Sequence, residues 1–398
     1  MNRILRSKQR NDVLLSMAQL IAEEQQAILV ANKKDVENYQ GDDLAMFDRL
    51  KVDKSKIDGM ILSLNQLADD VDPLGKELYQ FSHTNGLNIV NKTAPFGTVL
   101  IIYESRPDVT VEAAGIAFKS GNKIVLKGGK ESLNSNLKIV ELWHKALEIN
   151  NISGSWVEYL NFDRSRTQQF LEKPTQKIDL IVPRGGEKLI AFVKQNATCP
   201  VIVSGRGNNF VYVDTDADLE LAMKVIINGK TDKISACNAV DKILVCDKII
   251  KNTFFIKRLI EQLKEFNVEI FGDEIISKFE DVEAIVKEGL WYEEFLDYKI
   301  AIGNVNSLEE AIDKINKYGG GHSAVIISKN NEVAEKFMNE VDSAAVYQNA
   351  STRFTDGGQF GLGGELAIST DKLHHRGPMG LQHLVTNKWY VFGNGQIR

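Results

Sequence analysis

Thr98-Val-Leu-Ile-Ile-Tyr103, then Val109 to Lys119 closed by Gly121, then Lys123-Ile-Val-Leu-Lys127 follow one another in this chain. The first and last are continuous apolar runs of strand length, and the middle piece is a helix. Apolar strands without polar alternation, joined by a helix, imply a parallel sheet covered on both faces. Outward from this core the rhythm repeats: a helix from Leu133 to Glu148, then strands at Trp156–Leu160, Ile178–Val182 and Pro200–Val203 with helices between. A second series starts near Gly205, with strands at Phe210–Val213, Lys242–Val245, Tyr298–Ile302, Ala324–Ile327 and Ala344–Tyr347. Its helices fall at Asp218–Asn228, across 250–265, at Ser307–Lys317 and at Glu332–Glu340, and Ser307 with Glu310 makes a capping-box signature. The fold class is α/β, with two open parallel-sheet domains and a boundary near 205.

Before the first strand, apolar residues at helical spacing from Arg10 to Val30 give an amphipathic opening helix. Further helical pattern runs to Leu67, broken by Gly41 and ended by the turn Asp72-Pro-Leu-Gly75. Phe81 to Lys92, centred on Asn85-Gly86, is a short hairpin, small for a core element and suited to an arm that pairs with another subunit. Leu384 to Arg398 carries Trp389, Tyr390, Val391 and Phe392 in a terminal strand. Its partner is either that hairpin or the edge of the local core.

With 398 residues the chain is too long for one compact core. Its net charge of −6 and scattered basic residues exclude the basic stripe that nucleic-acid binding requires. No apolar run approaches the length of a membrane span, so no membrane role is expected. Three widely spaced cysteines, Cys199, Cys237 and Cys246, argue for a reducing, cytoplasmic setting. Metal-ligand spacing is missing, and the neighbouring His374 and His375 point apart, so no metal is expected.

Cys237 lies in a small, polar loop, Thr231-Asp-Lys-Ile-Ser-Ala-Cys-Asn-Ala-Val240, where a structural cysteine would have Val, Ile or Leu for neighbours. Such a thiol is a candidate nucleophile. A GxGxxG fingerprint is absent, yet two glycine pairs sit at strand ends: Gly128-Gly129, beside Lys127 and Lys130, and Gly185-Gly186, after Arg184. The first pair lets a ligand approach the backbone while the lysines hold a ribose and a 2′-phosphate. The second opens a helix and presents main-chain N–H groups to an anion. Plain turns are the competing reading of both. Ser105 and Arg106 stand before Pro107 at another helix start, a place for an oxyanion or an anionic substrate, or for a solvated cap. Asn349 to Glu365 holds five glycines, Ser351, Thr352, Arg353 and two acids, with little that could build a core. Ordered strands around it favour a site over a disordered loop.

Taken together, these residues resemble the gamma-glutamyl phosphate reductases (glutamate-5-semialdehyde dehydrogenases) of the aldehyde dehydrogenase superfamily. The matching stretches are Asp48-Arg-Leu50, Tyr103 to Val109, Val182-Pro-Arg-Gly-Gly186, Cys237-Asn238, Gly321-His-Ser323, Val341 to Tyr347, Arg353 to Gly358, Leu373-His and Arg376 to Gly380. The likeness spans essentially the whole chain. It implies an aldehyde dehydrogenase-like fold: an NADP-binding domain over 1–204 with a hairpin arm about 78–96, a catalytic domain over 205–370, and an oligomerisation segment over 371–398. It implies NADPH-dependent reduction of L-glutamate 5-phosphate, a homo-oligomer (dimer or tetramer), and a glutamate 5-kinase as functional partner.

By that similarity Cys237 is the nucleophile, Lys127 holds the adenosine ribose, and Gly128, Gly129, Arg184, Gly185 and Gly186 line the cofactor. Glu365 falls where a glutamate steadies the nicotinamide ribose. Ser105 replaces the usual oxyanion-stabilising asparagine, so Asn238 or the Cys237 backbone N–H is an alternative donor. Arg106, Ser351, Thr352 and Arg353 are the candidates to hold the substrate, and which arginine takes phosphate or α-carboxylate stays open. The chain departs from the family pattern at Ala324, where an acid is common, at Asn209-Phe210 in place of Cys-His, and at Asp108 in place of Asn. Two other classes compete: an aldehyde dehydrogenase that hydrolyses its acyl-enzyme, and a non-catalytic scaffold. The first needs a general base near Val203-Ser204, where no acid stands; the second does not explain retention of Cys237, Glu365 and the Arg353 to Gly358 loop.

Overall fold

The computed structural model describes residues 4–398 and divides into two compact units. The first runs to Val203 and takes in Gly361–Ala367 and Met379–Arg398; the second comprises Ser204–Phe360 and Ile368–Pro378. The segment 371–398 is therefore not one piece, and Glu365 belongs to the first unit while Cys237 belongs to the second.

In the first unit four parallel strands lie in the order Val157–Tyr159, Lys123–Lys127, Thr98–Tyr103, Leu180–Arg184. The helix Val109–Lys119 is apolar nearly all round and buried at every residue but Glu112. Around it pack Val13, Leu14, Met17 and Ile21 of Ser7–Glu23, with Ile57, Met60 and Leu64 of Lys54–Asp69. The opening helical pattern resolves into four helices, Ser7–Glu23, Gln25–Glu37, Leu44–Leu50 and Lys54–Asp69. No single helix among the described residues is long and apolar enough to cross a membrane.

One expected strand is missing. Pro200–Val203 makes only a single parallel bridge, Ile181 to Val201. Pro200 has no N–H to donate, and at a sheet edge that leaves too few ladder bonds to extend a strand.

A separate antiparallel sheet is built from Glu77–Ser82, Asn88–Pro95 and Val385–Phe392. The terminal aromatic strand thus pairs with the hairpin, and Trp389 meets Tyr79 edge-on at 5.8 Å between ring centres. Gly86 has φ +89°, the left-handed conformation that the Asn-Gly turn requires. Every residue of Glu77–Ser82 is exposed.

The second unit is a seven-stranded sheet, parallel throughout. Its order is Glu283–Ala284, Glu269–Gly272, Lys299–Val305, Val240–Cys246, Asn209–Val213, Ser323–Ile327, Ala345–Gln348. The central strand Val240–Cys246 is buried at every residue, and the Cys237 loop enters it directly. Asp218 caps the helix Leu219–Thr231 through the Leu221 N–H, and Ser307 caps Leu308–Tyr318 through the Glu310 N–H. The capping box is only half formed, because the Glu310 carboxylate accepts from the Asn306 N–H at 2.8 Å instead of that of Ser307.

Candidate active site

Cys237 sits at the end of a turn, half-buried, between the helix Leu219–Thr231 and the strand Val240–Cys246. Its carbonyl accepts from Asn209 Nδ2 at 2.8 Å, and the same amide reaches Gly207 and Ala239 carbonyls at 2.9 and 2.7 Å. Asn209 Oδ1 in turn accepts from the Ser323 N–H at 3.0 Å. One fully buried asparagine therefore ties three strand ends to the Cys237 peptide. Gly207 must be glycine, since a β-carbon there would lie 2.0 Å from the Cys237 carbonyl oxygen.

Asn238 does not fit the role of side-chain oxyanion donor. Its Nδ2 donates to the carbonyls of Arg353 at 3.3 Å and Thr355 at 3.0 Å, which engages both N–H bonds in holding the loop. Thr352 also departs from its expected place at the substrate: it is fully buried and its hydroxyl donates to the Asn238 carbonyl at 2.6 Å. Ser351 is buried and its hydroxyl accepts from the Arg353 N–H at 3.3 Å, as a cap for that short turn. These residues lie together, but their polar atoms face the main chain and not an open site.

Thr355 is the junction of this region. Its hydroxyl meets Ser323 Oγ at 2.8 Å and the Tyr347 hydroxyl at 2.6 Å, and Ser323 Oγ meets His322 Nδ1 at 2.8 Å. Burial holds the His322 imidazole down at about 4, so it is neutral near pH 7. Asn349, at φ +58°, turns the chain from Ala345–Gln348 into this loop and accepts from the Ser328 N–H at 3.0 Å. Arg353 pairs with Asp232 at 3.0 Å from its Nε. Asn209 stands out in the sequence only as a departure from the family pattern, and Asp232 is one more polar residue of the Cys237 loop, so neither is expected to fix this region.

In the first unit, the glycine pairs are set by close packing. A β-carbon on Gly128 would lie 2.2 Å from Asn136 Nδ2, and one on Gly185 would lie 2.6 Å from the Glu104 carboxyl carbon. The Gly185-Gly186 helix start is not open to an external anion: Glu104 Oε2 accepts from the Gly186 N–H at 2.9 Å. Arg184 ends its strand opposite Tyr103 in register, and its carbonyl accepts from the Glu104 N–H at 3.2 Å. Lys127 donates from Nζ to the Gly128 carbonyl at 2.8 Å, and burial makes its ammonium less basic than usual.

Ser105 is 1% exposed and its hydroxyl faces Glu131 at 3.5 Å, which withdraws it from the oxyanion role expected of it. Arg106 is paired with Asp108 at 2.8 Å. Burial opposes its charge, but Asp108, Glu112 and Glu365 outweigh that and hold it more basic than usual. Arg106 and Glu365 thus share one electrostatic neighbourhood, and Arg353 shares its unit with Cys237. No group of three or more His, Cys, Asp or Glu among the described residues is placed to hold a metal ion.

The aldehyde dehydrogenase family model matches residues 3–276 and 298–389. The chain belongs to that family. It is an oxidoreductase, similar along its length to gamma-glutamyl phosphate reductases. The gamma-glutamyl phosphate reductase of Clostridium botulinum (strain Eklund 17B / Type B) is 44% identical over 395 residues, covering 98% of this chain and 95% of that one. That of Lachnospira eligens is 42% identical over 393 residues, 98% of this chain and 94% of the other. The crystal structure of gamma-glutamyl phosphate reductase from Thermotoga maritima has a TM-score of 0.95 at 42% identity, over 100% of this chain and 96% of its own. An acetylating aldehyde dehydrogenase from Geobacillus thermoglucosidasius, 18% identical over 99% of this chain and 93% of its own with a TM-score of 0.67, shares the fold.

Proposed function

We propose that the chain reduces L-glutamate 5-phosphate to L-glutamate 5-semialdehyde with NADPH, releasing phosphate, through a thioester on Cys237, as a step of proline biosynthesis. The observation that carries this reading is the Cys237 loop: a half-buried thiol whose peptide is locked by Asn209, followed by Asn238, which ties the loop to the Arg353 and Thr355 carbonyls. Likeness to reductases of that name along essentially the whole chain supports the substrate.

The Cys237 sulfur, as thiolate, attacks the acyl carbon and forms the C–S bond, and the tetrahedral centre collapses with loss of phosphate. Splitting one displacement into two easier ones is the advantage of a sulfur nucleophile. Main-chain N–H groups of the turn that carries Cys237 are the oxyanion donors in this reading, since Asn238 and Ser105 spend their side chains elsewhere. A bound reduced nicotinamide supplies the hydride that the thioester needs to reach the aldehyde level. The residues that would hold it are Lys127, Gly128 and Gly129, Arg184 to Gly186, and Glu365. The fit is supported by Lys127, whose part-buried ammonium lies on the Gly128 loop. The Glu104 carboxylate on the Gly186 N–H argues against a phosphate at that one donor unless the side chain moves. We place Arg353 on a substrate oxyanion and Arg106, with its Asp108 partner, on the cofactor side.

The exposed apolar sheet of Glu77–Ser82, Asn88–Pro95 and Val385–Phe392 supports a homo-oligomer. Leu78, Trp389, Val391 and Phe392 are each more than half exposed, and an apolar face left open to water on a sheet marks an interaction surface. A glutamate 5-kinase supplying the labile acyl phosphate completes the proposal, in the cytoplasm.

The test is phosphate-dependent reduction of NADP⁺ by the semialdehyde. Cys237→Ser is expected to lose at least about a thousandfold in turnover with an unchanged melting curve. Turnover within tenfold of wild type in that variant would remove Cys237 from the mechanism, and turnover independent of phosphate would remove the acyl phosphate.

A further inference from the structure

We infer that Asp232 is a positioning residue, which holds the Arg353 guanidinium by its Nε–H so that the far end of the fork meets an oxyanion of the substrate. This rests on the reading above for the identity of the substrate.

A guanidinium presents its N–H groups along a rigid planar fork, and an acid on one edge leaves the opposite end for a second anion. Asp232 Oδ2 takes Nε at 3.0 Å. Nη1 of Arg353 is buried and has no hydrogen-bond partner, although the residue carries a full charge's worth of donors. A buried N–H of that kind is costly to leave unmade, and a ligand oxygen is what would satisfy it. The main chain of Arg353 is fixed as well: its N–H donates to Ser351 Oγ at 3.3 Å and its carbonyl accepts from Asn238 Nδ2 at 3.3 Å. The residue that follows the nucleophile thus sets where Arg353 begins, and Asp232, five positions before the nucleophile, sets where its head points.

The exposure of the pair argues for position over stability. The Asp232 side chain is 54% exposed against 17% for Arg353, and an ion pair whose acid is that open to water adds little to folding. Two oxyanions of the proposed substrate offer the chemistry Nη1 lacks, the phosphate and the α-carboxylate.

The experiment runs the full chain in the semialdehyde, phosphate and NADP⁺ direction, comparing wild type with Asp232→Ala and Asp232→Asn. Asp232→Ala is expected to raise one KM about fivefold with kcat within about twofold, and Asp232→Asn, which keeps an acceptor, to raise it less. A rise in the KM for inorganic phosphate assigns Arg353 to the phosphate, and a rise in the KM for the semialdehyde assigns it to the carboxylate. Alkylation of Cys237 by iodoacetamide without substrates is expected to keep its wild-type rate. Unchanged KM values for both substrates overturn the inference. So does an alkylation rate that moves in step with KM, because Asp232 would then shape the Cys237 loop instead of the arginine. A wild type with no phosphate-dependent turnover overturns the proposed function itself, and this inference with it.

Discussion

The loop carrying Cys237 and the loop at Gly185-Gly186 are both turns at the ends of parallel strands, but they are held by opposite means. The Cys237 turn is fixed by neutral amides and hydroxyls: Asn209 and Asn238 donate to main-chain carbonyls, and Thr352 donates to the Asn238 carbonyl. Asn209, Asn238 and Thr352 are buried. The Gly185-Gly186 turn is fixed by a charge, the half-exposed Glu104 carboxylate on the Gly186 N–H. Neutral buried clamps are strong because an unmade partner stays unmade, whereas water can replace an exposed carboxylate. The molecule therefore makes its thiol loop rigid and leaves the glycine-pair loop with a replaceable contact.

The largest expected break of that contrast is Asn209→Ala. It removes the donor to the Gly207, Cys237 and Ala239 carbonyls and the acceptor for the Ser323 N–H, all inside the second unit. Urea unfolding is expected to show a loss on the order of 4 kcal/mol, with Cys237 alkylation changed in rate. A loss below about 1 kcal/mol would mean water replaces the amide, and the rigid half of the comparison would fall.

Acid tests the same rigid region through His322. The imidazole is held at about 4 in the folded chain by burial, against an ordinary value of 6.5. The folded state therefore binds fewer protons than the unfolded state between those values, so stability falls as pH drops from about 6.5 to about 4 and then levels off. Two and a half units correspond to about 3 kcal/mol. Urea unfolding at pH 7 and pH 4.5 measures it, and His322→Gln is expected to remove most of this slope. A slope that survives the substitution belongs to other groups.

How much of this was legible beforehand follows from which atoms a sequence determines. Thr98–Tyr103, Lys123–Lys127 and Val240–Cys246 announced themselves because strands buried on both faces have no polar alternation. Glu269–Gly272 did not, being four residues with a mixed face. Pro200–Val203 looked like a strand because its residues are apolar, and its missing N–H decided otherwise. At the site, Cys237 stands out by its small neighbours, but only the family resemblance and residue type point to Asn238 and Ser105 as oxyanion donors and to Thr352 as a substrate contact. An amide or hydroxyl near a nucleophile faces either substrate or main chain, and its direction is a tertiary property. Those three all turned toward the protein.

The smallest effect sharpens the replaceable half of the comparison. Glu104→Gln keeps an oxygen that can accept from the Gly186 N–H and removes only the charge at the start of the helix Glu187–Asn196. A carboxylate at a helix N-terminus is worth about 0.3–1 kcal/mol when it is partly exposed, so urea unfolding is expected to shift by no more than that. The shift should shrink in high salt, where a charge–dipole contact is screened and a neutral clamp is not. A salt-independent loss comparable to that of Asn209→Ala would show that Glu104 is itself a buried clamp, and that the two loops are held alike.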